Sequence, residues 1–154
     1  MTLRVLVGFD GTEKDAAAIL WALEVGPRLG ASIEIVHALG LLESSHRMRD
    51  GARDSAYDRA REQTEATIAR TVESAGLDMA SVRITARPGD PVLLLLQAID
   101  DNPPDLVVLG HRVSTDGSSR NGSECNTLGS VSREVVGRAT VPVVVVPQQW
   151  TRRS

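Results

Sequence analysis

The sequence predicts an α/β fold: a five-stranded parallel, doubly wound sheet with helices on both faces. Short β-branched runs alternate along the chain with longer stretches in which apolar residues recur at helical spacing. The chain has 154 residues, 42% apolar and 24% charged, which is enough for one hydrophobic core and too few for two. Five strands that alternate with four helices indicate right-handed crossovers and a parallel, flavodoxin- or Rossmann-like sheet, for which we expect the strand order 3-2-1-4-5.

The first half of the chain holds the first two strands and the first two helices. Apolar, β-branched runs at residues 3–9 and 33–38 predict strands one and two. Between them, Thr12 is the expected N-cap of the first helix, with Glu13 and Asp15 in its first turn and an end near Gly30. A connector at residues 40–51 precedes a second helix at 53–75, whose many Arg and Glu residues indicate a solvated face.

The second half holds three further strands, predicted at residues 82–86, 106–109 and 143–146. Pro91 lies where proline is tolerated, at the start of an apolar third helix over 92–99. Residues 111–128 are polar and predict an enlarged loop, and a fourth helix follows at 130–139. We therefore expect one domain at 1–148 and a short C-terminal tail at 149–154.

Charge and composition exclude several function classes. The formal charge is −3 and the 16 arginines are scattered, which argues against a nucleic-acid partner. Cys125 is the single cysteine, so no internal disulfide is expected. No leader pattern precedes the first strand and no apolar run is long enough to span a bilayer, so we expect no membrane partner and a cytoplasmic location.

The three histidines, His37, His46 and His111, share no metal-ligand spacing, and no metal site is predicted. A lone histidine at a strand end is more often a hydrogen-bonded structural residue. His111 directly follows Gly110 at the mouth of the expected ligand site, where it is also a candidate for contact with a ribose or a phosphate.

Ligands of doubly wound sheets bind beyond the carboxyl ends of the strands, where the winding direction reverses. For the order 3-2-1-4-5 that point lies between strands one and four. The turn after strand one, Gly8-Phe9-Asp10-Gly11, lacks the G-x-G-x-x-G pattern of dinucleotide sites. Asp10 can accept hydrogen bonds from ribose hydroxyls or a base edge, or contact Mg²⁺; the structural alternative is an Asx-turn that ends the strand.

The fourth helix begins with Gly129-Ser130-Val131-Ser132, directly after the polar loop. Its first amides, its positive end and two hydroxyls form a candidate anion cradle. The structural alternative is that Ser130 serves only as the N-cap. A carboxylate after strand one and an anion cradle after strand four can face opposite ends of one nucleotide.

The chain resembles the universal stress protein family over nearly its whole length. The matching segments are VLVGFDGT at 5–12, IVHA at 35–38, PGDP at 88–91, DLVVLG at 105–110, GSVS at 129–132 and PVVVV at 142–146. The resemblance implies a five-stranded α/β domain, often dimeric, and in a subset of members ATP binding through a G-x2-G-x9-G-[S/T] pattern. It implies that Asp10 and Ala38 lie near adenine and ribose, that Gly110 begins the phosphate loop, and that residues 129–132 meet the phosphates.

The sequence departs from that pattern in its phosphate loop. Val113 stands at the position of the second glycine, and 18 residues separate Gly110 from Gly129, more than in the pattern. Gly117 or Gly122 can supply the missing backbone freedom. The alternative is that the insertion abolishes the site.

Other chemistries lack their residues. The chain has no G-x-S-x-G nucleophile elbow and no Walker A lysine. A phosphoacceptor receiver domain needs an acidic pair after strand one, an aspartate ending strand three and a lysine ending strand five. Here these positions hold Asp10 alone, Arg87-Pro88 and Pro147.

We therefore expect a stress-response sensor or regulator that binds an adenine nucleotide, ATP with or without Mg²⁺, and is not an efficient enzyme. Nucleotide binding is expected to order the loop at 111–128 and present it to a protein partner that the sequence does not identify. The alternative is a nucleotide-independent dimeric module with a degenerate site. The apolar run from Val141 to Val146, expected at the sheet edge, predicts a homodimer, unless the fourth helix and the Trp150 tail cover it.

Overall fold

The five predicted strands form one parallel sheet of order β3-β2-β1-β4-β5 in a computed structural model, as the sequence predicts. The structure describes residues 2–12, 16–40, 49–80, 82–111 and 128–152. The strands are β1 Arg4–Phe9, β2 Ser32–Leu39, β3 Val82–Pro88, β4 Leu106–His111 and β5 Val143–Pro147. The helices are α1 Ala16–Val25, α2 Asp50–Ser74, α3 Pro91–Asp101 and α4 Ser130–Arg138.

The end of α1 differs from the prediction. The helix stops at Val25, a short 3₁₀ turn follows at Pro27–Leu29, and Gly30 caps that turn in the left-handed region with φ 63°. The physical reason is Pro27, which has no amide to continue the i to i−4 ladder. Glu13 and Asp15, the predicted first-turn acids, lie outside the described residues.

Helices cover both faces of the sheet. On one face α1 and α2 enclose a core that includes Val7, Ile35 and Val108, all fully buried. On the other face α3 and α4 pack against Leu6, Val107 and neighbouring side chains. Trp150 of the predicted tail packs against the first of these cores. No helix in the described ranges is long and apolar enough to cross a membrane.

The sheet order places β1 between β2 and β4. β1 pairs in parallel with both neighbours, with Phe9 opposite His37 and Val7 opposite Val108. The carboxyl ends of the three central strands therefore lie at one edge of the sheet, where the chain turns to opposite sides after β1 and β4. This is the position at which doubly wound sheets bind ligands.

Candidate functional site

A cavity of about 360 Å³ lies at the carboxyl ends of β1, β2 and β4, against the starts of α3 and α4. Its volume falls within the range usual for small-molecule sites, about 300–1,000 Å³. Its lining residues are Gly8, Phe9, Asp10, Val36, Ala38, Pro91, Leu95, Leu109, Gly110, Gly129, Ser130, Val131 and Ser132. The walls are mainly apolar, with polar groups at two ends.

Gly8 lines the cavity, and a larger residue has no room at this position. A Cβ atom at this position would lie 2.6 Å from Leu109 Cδ2 and 3.2 Å from Leu95 Cδ1. The absence of a side chain lets the backbone of β1 approach the layer of leucines closely.

The turn after β1 holds the carboxylate of Asp10 in a defined orientation. Asp10 Oδ1 accepts hydrogen bonds from the amide and the hydroxyl of Thr12, both at 2.8 Å. The first of these bonds is the Asx-turn that was the structural alternative at this position. Asp10 also lines the cavity. The structural interpretation is therefore confirmed, and it is compatible with the predicted ligand contact of Asp10, which stays a prediction.

His37 supports this turn from β2, and its contact with Gly11 is a feature that sequence reasoning missed. Its Nδ1 lies 2.8 Å from the carbonyl oxygen of Phe9. Because a carbonyl only accepts, Nδ1 carries the proton. Gly11 has φ +88°, and a Cβ there would lie 2.8 Å from His37 Cε1. His37 thus has the structural role expected of a histidine at a strand end. Its contacts with Phe9 and Gly11 follow from the register between β1 and β2, which the sequence does not show.

The start of α4 presents an uncapped helix end to the cavity. Gly129 is the N-cap residue, with φ −57° and ψ 159°, and no side chain of the described residues caps the helix. The alternative interpretation of Ser130 as the N-cap is therefore wrong, because Ser130 is the exposed first residue of the helix. Amides in a first helical turn have no intrahelical acceptor and favour an anion.

Ser132 contributes differently from Ser130. It is buried, and its hydroxyl donates a hydrogen bond of 3.0 Å to the carbonyl of Gly110. This bond ties the first turn of α4 to the end of β4. The proton of the Ser132 hydroxyl is therefore engaged within the protein, whereas the Ser130 side chain is exposed.

Eight of the nine predicted site residues line the cavity, and His111 does not. His111 ends β4, and its Nε2 atom is buried with no hydrogen-bond partner in the described part of the chain. Val113, Gly117, Gly122, Cys125 and His46 lie outside the described residues. Sequence reasoning did not assign five of the lining residues to the site: Phe9, Val36, Pro91, Leu95 and Leu109.

Asp10 is the one carboxylate among the described residues that line the cavity. No group of three or more His, Cys, Asp or Glu side chains suited to a metal ion occurs within those residues. The site therefore combines one acidic group at β1 with a positive helix end at α4. That polarity suits a ligand with a hydroxyl-bearing end and an anionic end.

Comparisons with known proteins agree with this fold. The model of the universal stress protein family matches residues 1–147. A universal stress protein from Lactobacillus plantarum has a TM-score of 0.69 and 18% identity, over 94% of this chain and 97% of that one. A universal stress protein solved with cAMP has a TM-score of 0.56 and 22% identity, over 96% and 98%. One from Archaeoglobus fulgidus solved with dAMP has a TM-score of 0.57 and 17% identity, over 95% and 98%. A search of curated proteins finds no match.

Proposed function

The chain belongs to the universal stress protein family, and on that premise we propose that it binds an adenine nucleotide, ATP with or without Mg²⁺, and acts as a stress-response sensor or regulator. The observation that carries the proposal is the cavity between β1 and β4. It has the carboxylate of Asp10 at one end and the uncapped start of α4 at the other. Two relatives were solved with the adenine nucleotides cAMP and dAMP, which supports this ligand class.

The polarity of the cavity sets the orientation of the nucleotide. The ribose hydroxyls and the base lie toward Asp10 and Ala38, where the carboxylate accepts hydrogen bonds and the apolar wall of Val36 and Leu95 covers the base. The phosphates lie at the first turn of α4, where free amides and the helix dipole favour negative charge. Phosphates at the Asp10 end would face a carboxylate instead.

A magnesium ion would be held mainly by the nucleotide itself. Asp10 is the one carboxylate that the described lining offers, and Mg²⁺ commonly binds through one or two carboxylates together with phosphates and water. With the phosphates at the start of α4, the Ser130 hydroxyl is the protein oxygen that would lie beside such an ion, whereas Asp10 lies at the other end of the cavity.

We propose that the protein is not an efficient enzyme and works in the cytoplasm. The Ser132 hydroxyl donates to the Gly110 carbonyl, which leaves it without the adjacent base that activates a nucleophile. Steady-state ATP turnover is therefore expected to be slow. A turnover number in the usual enzymatic range, about 1–1,000 s⁻¹, would contradict this part of the proposal.

The experiment that tests nucleotide binding is calorimetric titration of nucleotide-stripped protein with ATP and Mg²⁺, with AMP, cyclic AMP and GTP as comparators. We expect micromolar binding of adenine nucleotides and weaker binding of GTP. Absence of heat for every nucleotide, confirmed by equilibrium dialysis, would refute the proposal. It would favour the nucleotide-independent module instead.

A second candidate function is dimerisation through β5. This strand is an edge of the sheet, and Val143, Val144 and Val145 are only half-buried although α4 and Trp150 pack nearby. A continuous apolar edge strand promotes aggregation when it is exposed, and pairing with a second copy of the chain would bury it. We propose a homodimer formed along the segment from Val141 to Val146. Sedimentation of nucleotide-free protein over a hundredfold concentration range tests it, and a monomer throughout that range would refute it.

A further inference from the structure

Arg87 lies next to the base end of the cavity, on the side away from α4. It is opposite Ala38 in the pairing of β2 with β3. Residues opposite each other in neighbouring strands point to the same face of the sheet, and the strands lie about 4.8 Å apart. Ala38 lines the cavity. The Arg87 side chain therefore starts one strand beyond a wall of the site and on the same face.

No protein group within the described residues holds this guanidinium. Arg87 is exposed, and its side chain forms no hydrogen bond or ion pair there. It lines a groove of about 180 Å³ between β3 and α3, and Val36 lines both this groove and the nucleotide cavity. Glu34 in the same groove is already engaged by Arg4 at 3.3 Å and by the Thr85 hydroxyl at 2.9 Å.

We propose that Arg87 binds the adenine base, with its planar guanidinium stacked on the ring that lies over Ala38. This inference rests on the proposed function and adds a residue to its site. A guanidinium stacks on aromatic faces and is attracted to their negative charge, and the short side chain of Ala38 leaves space above the sheet.

The phosphates are the competing target for this cation, and the sheet places them too far away. Arg87 is on β3, and Gly110, beside the start of α4, is on β4, three strands away and hence about 14 Å across the sheet. At physiological ionic strength the Debye length is about 8 Å, so a solvated charge at that distance is largely screened. Arg87 is therefore expected to contact the base, and its contribution to affinity should not depend on the number of phosphates.

Arg83 supplies the matched control. It is on the same face of the same strand, is also exposed and carries the same charge. It lies four residues earlier, which is about 13 Å further from the carboxyl end of the sheet. It is opposite Glu34, not a cavity residue.

The test measures dissociation constants of ATP, AMP and adenosine for the wild type, Arg87→Ala, Arg87→Lys and Arg83→Ala. We expect Arg87→Ala to weaken all three ligands by a similar factor, roughly 3- to 30-fold. Arg87→Lys should recover part of the loss, since an ammonium keeps the charge and lacks the plane, and Arg83→Ala should bind as the wild type does. Circular dichroism and thermal midpoints check that these exposed positions leave the fold intact.

Three results would overturn the inference while the proposed function stands: unchanged adenosine affinity in Arg87→Ala, a loss confined to ATP, or equal losses in Arg87→Ala and Arg83→Ala. A wild type that binds none of the three ligands would refute the proposed function and the role of Arg87 together. The wild-type titration thus separates the two failures.

Discussion

A negative charge at the start of α4 should weaken nucleotide binding and stabilise the helix at the same time. Ser130→Glu places a carboxylate at the first helical residue, which is exposed and lines the cavity. Gly129→Asp places one at the N-cap, where a Cβ meets no atom within 4 Å and aspartate is a favoured residue. Affinity and stability should therefore change in opposite directions.

The size of the effect follows from the exposure of the site. For a phosphate charge about 6 Å from the new carboxylate, an effective dielectric constant between 20 and 80 gives a repulsion of about 0.7–2.8 kcal/mol. This corresponds to a loss of affinity for ATP of roughly 3- to 100-fold. The same charge stabilises the helix end by about 0.3–1 kcal/mol, a rise of up to about 4 °C in thermal midpoint.

Calorimetric titration with ATP and adenosine, combined with thermal unfolding, separates the two effects. Adenosine has no phosphate, so its affinity should be nearly unchanged in Ser130→Glu. Val136→Glu is the matched control, because Val136 is 44% exposed on the same helix and the variant adds the same charge near its other end. Equal ATP affinity in Ser130→Glu, Gly129→Asp and the control would refute the assigned phosphate position.

Three further predictions concern stability, measured by urea unfolding. Gly11→Ala should lower the free energy of unfolding by about 1–3 kcal/mol more than Gly30→Ala does. Both glycines have positive φ, but an added Cβ meets a neighbouring side chain only at Gly11. Equal losses in the two variants would show that the clash at Gly11 is relieved without strain. Glu24→Ala should lower the free energy of unfolding by about 1–2 kcal/mol, because the Glu24 carboxylate, 12% exposed, forms ion pairs with Arg28 and with Arg152 of the C-terminal tail. Glu134→Ala, 58% exposed, should cost at most about 0.5 kcal/mol, and similar losses in the two variants would contradict a role for the tail. Ile68→Ala should lower the free energy of unfolding by about 2–5 kcal/mol, as Ile68 is a fully buried α2 side chain that packs into the core; a loss below about 1 kcal/mol would mean that α2 is not firmly packed.

The order and type of the main elements could be predicted because they depend on local patterns. Strands and helices repeat their apolar residues with periods of two and about 3.6, and these periods are visible within a short window of sequence. The failure at α1 had a local cause that the pattern concealed. Apolar residues continue toward Gly30, while the missing amide of Pro27 ends the α-helical ladder earlier.

The polar ends of the candidate site could also be predicted, since Asp10 directly follows β1 and the start of α4 is the first helix start after β4. Asp10 follows β1, and Gly129 and Ser130 open α4, so strand order alone brings them to one edge. Their detailed roles could not. Whether Gly129 or Ser130 is the N-cap depends on backbone angles, and the bond from Ser132 to Gly110 joins residues 22 apart in the chain.

The sequence by itself therefore determined the type and succession of the elements and the class of sheet they form, because short-range periodicity and the alternation of strands with helices are visible along the chain. Only the tertiary structure decided the shape of the cavity, the support of Gly11 by His37 and the position of Arg87 beside Ala38. Each of these depends on strand register and on packing between residues distant in sequence. Local sequence patterns do not predict which side chains come into contact when the residues are far apart in the chain.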